Sequence, residues 1–163
     1  MRESRVRFIR QQGITTPRVD DELYSALMLQ PRIIGVLVLV GVAGQSASVF
    51  LGLAAALWWS ALVPAHNPFD AIYNHAVAYR RGRPPLDAAP APRRFAAGLA
   101  GVVALAIGVA LLAGTPAVAW VFEALFVVAV AAVVFGDSCA GAALYHRLQR
   151  RLTATVNASR HRF

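Results

Sequence analysis

The sequence predicts an all-α, polytopic membrane protein in which four transmembrane helices form two hairpins, accompanied by interfacial amphipathic helices. Three observations lead there. Two long apolar tracts, residues 33 to 63 and 95 to 135, contain a single ionisable side chain, Glu123. All sixteen basic residues are arginine, and every one lies outside those tracts. Each tract is interrupted near its middle by turn formers, Gly44-Gln45-Ser46-Ala47-Ser48 in the first and Gly114-Thr115-Pro116 in the second. A spanning helix needs about 20 apolar residues, so tracts of this length, broken in this way, read as hairpins.

The chain opens with a basic, weakly amphipathic arm over residues 1 to 22, carrying Arg2, Arg5, Arg7, Arg10 and Arg18 and broken at Thr16-Pro17. Asp20, Asp21 and Glu22 then place acidic groups where a helix start favours them. Ile33 to Gly44 would be only about 18 Å long as helix, too short for roughly 30 Å of hydrocarbon. The first span must therefore begin near Leu23, with a kink at Pro31 and Arg32 snorkelling to the interface. The second span, Ala47 to Val63, ends in Trp58-Trp59, rings of the kind enriched at headgroup depth. Together these form a transmembrane hairpin over residues 23 to 63.

Residues 64 to 94 read as a cytoplasmic interfacial helix and linker. Asn67 suits an N-cap, Pro68 the first helical position and Asp70 the first turn. Phe69, Ile72, Tyr73, Ala76 and Val77 recur at helical spacing, which marks Phe69 and Tyr73 as interfacial anchors. The second hairpin occupies residues 95 to 135. Its first span carries Gly98, Gly101, Ala104 and Gly108, small residues spaced so that two helices can approach closely in lipid. Its second span runs from Ala117 to about Phe135. A basic amphipathic tail follows over residues 136 to 163, with Leu144, Leu148 and Leu152 four apart. Pro31-Arg32 and Pro92-Arg93 each introduce a hairpin, a short similarity consistent with a parallel duplication.

The arginines fix the expected orientation. Six lie in the N-terminal segment through Arg32, five in the central loop and five in the C-terminal segment, with none in the two short turns. The positive-inside bias then places both termini on the cytoplasmic side of the membrane. A formal charge of +8 finds a sufficient partner in anionic lipid headgroups, and no part of the chain resembles a nucleic-acid module. Cys139 is the only cysteine, so it can form no disulfide within the chain.

Few residues offer chemistry. Glu123 leads, because an ionisable group inside a span is costly in lipid and is by default a functional candidate. Trp120, one turn away, is a candidate donor to it, whereas Gln45, Ser46, Ser48 and Thr115 are expected nearer the outer surface. Both Glu123 and Trp120 are expected at contacts within the bundle or with a partner, as are Gly98, Gly101 and Gly108. Cys139, near a helix start at the end of the fourth span, is a thiol candidate without a resolving partner. His66, His75, His146 and His161 include no i, i+4 pair, so no metal site is expected, and no cofactor is implied. Asp70 and Asp137 are accounted for as helix-terminal groups.

Two stretches carry a family likeness: Asn67-Pro68-Phe69-Asp70-Ala71-Ile72-Tyr73-Asn74 followed by Pro90-Ala91-Pro92-Arg93-Arg94-Phe95-Ala96, and Phe135-Gly136 through Cys139-Ala140-Gly141-Ala142. Over most of residues 30 to 150 the chain resembles the bacterial membrane family called domain of unknown function 4395. That resemblance implies a small four-helix integral membrane protein and supplies no reaction. Many members carry Cys-x-Gly-Cys where this chain has Cys139-Ala140-Gly141-Ala142, and the missing second cysteine weakens any thiol-pair redox role.

The function expected on these grounds is that of a non-catalytic accessory or scaffolding subunit of a larger membrane complex, with respiratory or photosynthetic assemblies as candidate hosts. Its partners would be the lipid bilayer and other membrane-protein subunits. The alternative is a small transporter or redox-linked membrane factor using Glu123 or Cys139. No constellation of residues supports an enzyme.

Overall fold

The computed structural model describes residues 3–14 and 20–160, with side chains through residue 153. Among the described residues there is no strand, and seven α-helices follow one another. They are α1 (Glu3–Gln11), α2 (Asp21–Gly44), α3 (Ala47–Leu62), α4 (Pro68–Tyr73), α5 (Ala91–Leu112), α6 (Pro116–Gly136) and α7 (Ala140–Arg160). Tighter and wider turns at Pro64–His66, Asn74–Ala78 and Tyr79–Arg81 flank and extend α4. The expected break at Thr16-Pro17, together with Arg2, Arg18 and His161, lies outside the described residues.

Local chemistry sets the helix ends. Asp20 caps α2, its carboxylate accepting from the Leu23 amide at 2.8 Å. The helix then continues through Pro31 without a break and ends where Gln45 takes a left-handed conformation, φ 44°. The Ser46 amide donates back to the Gly41 carbonyl at 3.0 Å, and Ser46 in turn caps α3. Gly114, φ +67°, performs the equivalent reversal between α5 and α6, and Pro116 opens α6 where a missing amide hydrogen does no harm.

Three helices are long and apolar enough to cross a membrane: α2 with 24 residues, α5 with 22 and α6 with 21. α3 is equally apolar but has only 16 residues. At 1.5 Å per residue it is about 24 Å long, short of the roughly 30 Å hydrocarbon core.

The two helix pairs pack side by side. α3 lies along α5 and α2 along α6, while α2 touches α3 and α5 touches α6, so the four close into one bundle. Ile34, Val38, Phe50, Leu53, Leu57, Ala104, Ile107 and Phe126 fill its centre. α7 folds back along α5. Within the weakly amphipathic basic arm, α1 buries Phe8 and Ile9 against Tyr24, Leu27 and Met28 of α2. Two adjacent large apolar side chains suffice to dock a short helix, since burying each contributes about 1.5–3 kcal/mol.

The small residues of α5 serve the α3 interface. A Cβ on Gly101 would fall 2.5 Å from the Trp58 ring, and one on Gly108 would fall 2.8 Å from Leu51. Gly98 faces Ala61. Close approach of this kind lets van der Waals packing hold helices together where lipid removes the hydrophobic drive.

Candidate functional site

The motifs that are separate in sequence meet at the end of the bundle where α2, α4, α5 and α7 begin. Asn67 starts the network. Its side-chain oxygen accepts from the Phe69 amide at 3.0 Å and from Ser60 Oγ at 3.0 Å, and its amide nitrogen donates to Asp70 Oδ2 at 2.9 Å. Asp70 also receives the Arg93 guanidinium, NH1 at 3.0 Å from Oδ2 with NH2 against Oδ1. The same NH2 donates to Gln30 Oε1 at 2.7 Å. Asn67, Asp70, Arg93, Gln30 and Ser60 are all buried. A two-pronged guanidinium–carboxylate pair is directional, and it ties α4 to α5 and, through Gln30, to α2.

The remaining motif docks on the same end. A Cβ on Gly141 would lie 2.8 Å from Ala96 Cα, so α7 rests directly on the backbone of α5. Gln11 of α1 grips the peptide of Cys139 from both sides, donating to its carbonyl at 3.0 Å and accepting from its amide at 3.1 Å. His146 Nε2 sits 3.0 Å from the Gln11 carbonyl. Tyr24 donates its hydroxyl to Asp137 Oδ1. Arg5 pairs with Asp21 at 2.7 Å and covers the Tyr24 ring, and the Asp21 hydrogen bond raises the Arg5 pKa.

Two concavities border this end. One, of about 290 Å³, lies between α2, α5 and α6 and is closed by α1 and the start of α7. The other, about 480 Å³, is a basic cleft between α1 and α7, edged by Arg7, Arg10, Arg147 and Arg150.

A second buried polar group sits at the opposite end of the bundle. Glu123, 4% exposed, accepts from Gln45 Nε2 through both carboxylate oxygens, at 3.2 and 3.1 Å. Trp120 Nε1 donates to Gln45 Oε1 at 3.3 Å, so the indole supports Glu123 through Gln45. The turn residue expected nearer the surface therefore reaches inward, because its left-handed backbone aims a long side chain at α6.

The family described as Domain of unknown function (DUF4395) matches this chain over residues 26–150. The chain belongs to the DUF4395 family. No curated protein and no solved structure matches it. The matched region of this DUF4395 chain contains both polar networks and starts within α2.

Other residues singled out in the DUF4395 sequence fall as follows. Phe69 and Tyr73, expected as interfacial anchors, are buried at 4% and 7% exposure because the apolar stripe of α4 turns onto the bundle. Trp58 lies over Gly101, and Trp59 donates to the His66 carbonyl at 3.0 Å while its ring stays exposed. Cys139 is half-buried and borders the apolar cavity. Among the described residues, no three His, Cys, Asp or Glu side chains gather as metal ligands would. Sequence reasoning missed the Asp70–Arg93–Gln30 network, although Gln30 and Arg93 each flank a proline at the edge of an apolar tract. Asp70 had a sufficient local explanation at its helix start, and that explanation hid its long-range partner.

Proposed function

We propose that this protein is a small integral membrane protein that crosses the bilayer four times and serves as a non-catalytic accessory or scaffolding subunit of a larger membrane assembly. Both termini and the central arginine segment share the cytoplasmic side of a bacterial inner membrane in this reading. α3 completes its crossing with the flanking Ser46 and Val63 to Ala65, and the bilayer thins slightly to accommodate it. Anionic headgroups bind the cleft edged by Arg7, Arg10, Arg147 and Arg150.

The observation that supports this reading is the uncovered flank of α6. Val118, Trp120, Val121, Leu125, Val128 and Phe135 are all exposed, and α6 is the least covered of the three long apolar helices. The buried ionisable groups Asp70, Arg93 and Glu123 meanwhile bond helix to helix. A helix of a partner subunit fits that flank. Extraction from native membranes in mild detergent, followed by mass spectrometry, should recover a defined partner whose association is lost with Val121→Trp or Val128→Trp. Recovery of a lone monomer under those conditions defeats the proposal.

A second reading, a small transporter or redox-linked factor, draws on Cys139 at the edge of the apolar cavity and on Glu123. It requires that Cys139→Ser or Glu123→Gln abolish a flux or growth phenotype at unchanged abundance.

A further inference from the structure

The cavity between α2, α5 and α6 is walled by hydrocarbon side chains, among them Ile34, Val103, Phe126 and Val130. Its lining also includes Leu99 and Leu125, both exposed, so it opens sideways between α5 and α6 onto the surface that faces lipid. At about 290 Å³ it sits at the lower bound of the roughly 300–1,000 Å³ typical of small-molecule sites. Apolar walls alone would suit any acyl chain.

The closed end is different. Gln12, Gln30, Arg93 and Cys139 line it. Gln30 and Arg93 are already bonded to one another, and Asp70 balances the Arg93 charge. Gln12 is not so engaged. It is 6% exposed, and its carboxamide has no hydrogen-bond partner among the described residues. Among the described residues, every side-chain nitrogen and oxygen wholly shut off from solvent has a partner. The Gln12 amide is therefore not wholly enclosed, and Gln12 is one of the residues that line the cavity. An amide held there without a protein partner gains a hydrogen bond from a ligand group placed against it.

We propose that this cavity binds a neutral amphiphile, with its hydrocarbon chain between α5 and α6 and a carbonyl or hydroxyl head hydrogen-bonded to Gln12 beside Cys139. The head is uncharged because this end of the cavity offers no unbalanced charge to pair with: Arg93 is neutralised by Asp70, and Gln12 carries no charge. Such a head occurs both on quinones and on glycerides. Gln12 is a donor and an acceptor at once and serves either.

The test uses the full chain, purified in mild detergent and stripped of lipid. Two probes are titrated separately, a benzoquinone bearing a decyl tail and a monoacylglycerol, with native mass spectrometry counting bound molecules. Saturable binding of one molecule per chain is expected for at least one probe, and the probe that binds names the head. Bound probe should also slow maleimide labelling of Cys139, the protein's only thiol. Gln12→Leu should weaken binding about tenfold, the worth of one buried hydrogen bond. Ala100→Trp, which fills the cavity, should abolish it, while Val128→Trp on the outer flank of α6 should leave it intact. Failure of both probes to bind the folded wild-type chain overturns the proposal. So does equal binding by wild type and the Gln12→Leu and Ala100→Trp variants. Loss of partner association with α6 would leave this result untouched, so the two proposals fail separately.

Discussion

At the scale of single residues, the Asp70–Arg93 pair is where the fold is most exposed to change. Each group is taken out of water, and each is satisfied only by the other and by Asn67 and Gln30. Removing one partner strands a buried charge, which typically costs about 3–5 kcal/mol, whereas replacing both with apolar groups is often far milder. Arg93→Met and Asp70→Leu should therefore each lower the thermal midpoint in detergent sharply, and the double variant should regain most of that loss. Strictly additive losses would show that the two side chains act independently. Gln45 is a smaller instance of the same logic. Its left-handed backbone would suit glycine better, by about 1 kcal/mol, but only a long amide there can reach Glu123. Gln45→Gly relaxes the turn and leaves the Glu123 carboxylate without its donor, so a net loss of stability in a melting experiment is the expected sign.

At the scale of elements, glycines decide which helices touch. Gly141 and Gly52 make opposite cases. A Cβ at Gly141 meets the Ala96 backbone at 2.8 Å, and backbone cannot step aside as a side-chain tip can; a Cβ at Gly52 meets nothing within 4 Å. Gly141→Ala should push α7 off α5 at a cost of about 1–3 kcal/mol. Gly52→Ala should be neutral or stabilise by up to about 1 kcal/mol, through helix propensity alone. Proteolysis of the α7 tail, compared between the two variants, reports the difference. Equal protection would mean that α7 is not seated on Ala96. The family stretch Cys139-Ala140-Gly141-Ala142 thus has a packing reason for its glycine that holds with or without a second cysteine.

At the scale of the whole molecule, the orientation we propose rests on the arginines. Cysteines placed at Gly82 and at Gly114, in a Cys139→Ser background, should label from opposite sides of the membrane: Gly82 from the cytoplasm and Gly114 from outside. Both positions are open turns with left-handed glycine, so cysteine there is strained but accessible. Labelling of both from one side would mean that α5, the helix between them, does not cross, whereas Gly82 labelling from outside and Gly114 from the cytoplasm would call the 16-residue α3 into question. The same bundle carries one polar network at each end, Asp70–Arg93 near the arginine clusters and Glu123–Gln45 at the two short turns. The hairpins are thereby pinned to each other at both ends while the middle is apolar.

The sequence alone determined the helical class, the two apolar tracts and their interruptions, and the family stretches, because each of these is written in neighbouring residues: periodicity, turn formers and the banishing of arginine from hydrocarbon. It also pointed to a face of α5, since Gly101, Ala104 and Gly108 at i, i+3 and i+7 advertise a close approach. Tertiary structure decided the rest. Whether Phe69 lies against lipid or in the bundle core, whether Asp70 serves only its helix start or also holds Arg93, and whether Gln45 faces water or Glu123 depend on groups distant in the chain, and no local pattern encodes which of several polar residues a folded chain brings within hydrogen-bonding distance. The Gln12 amide, ordinary in the sequence of a basic arm, becomes informative only because α1 docks and closes a cavity over it.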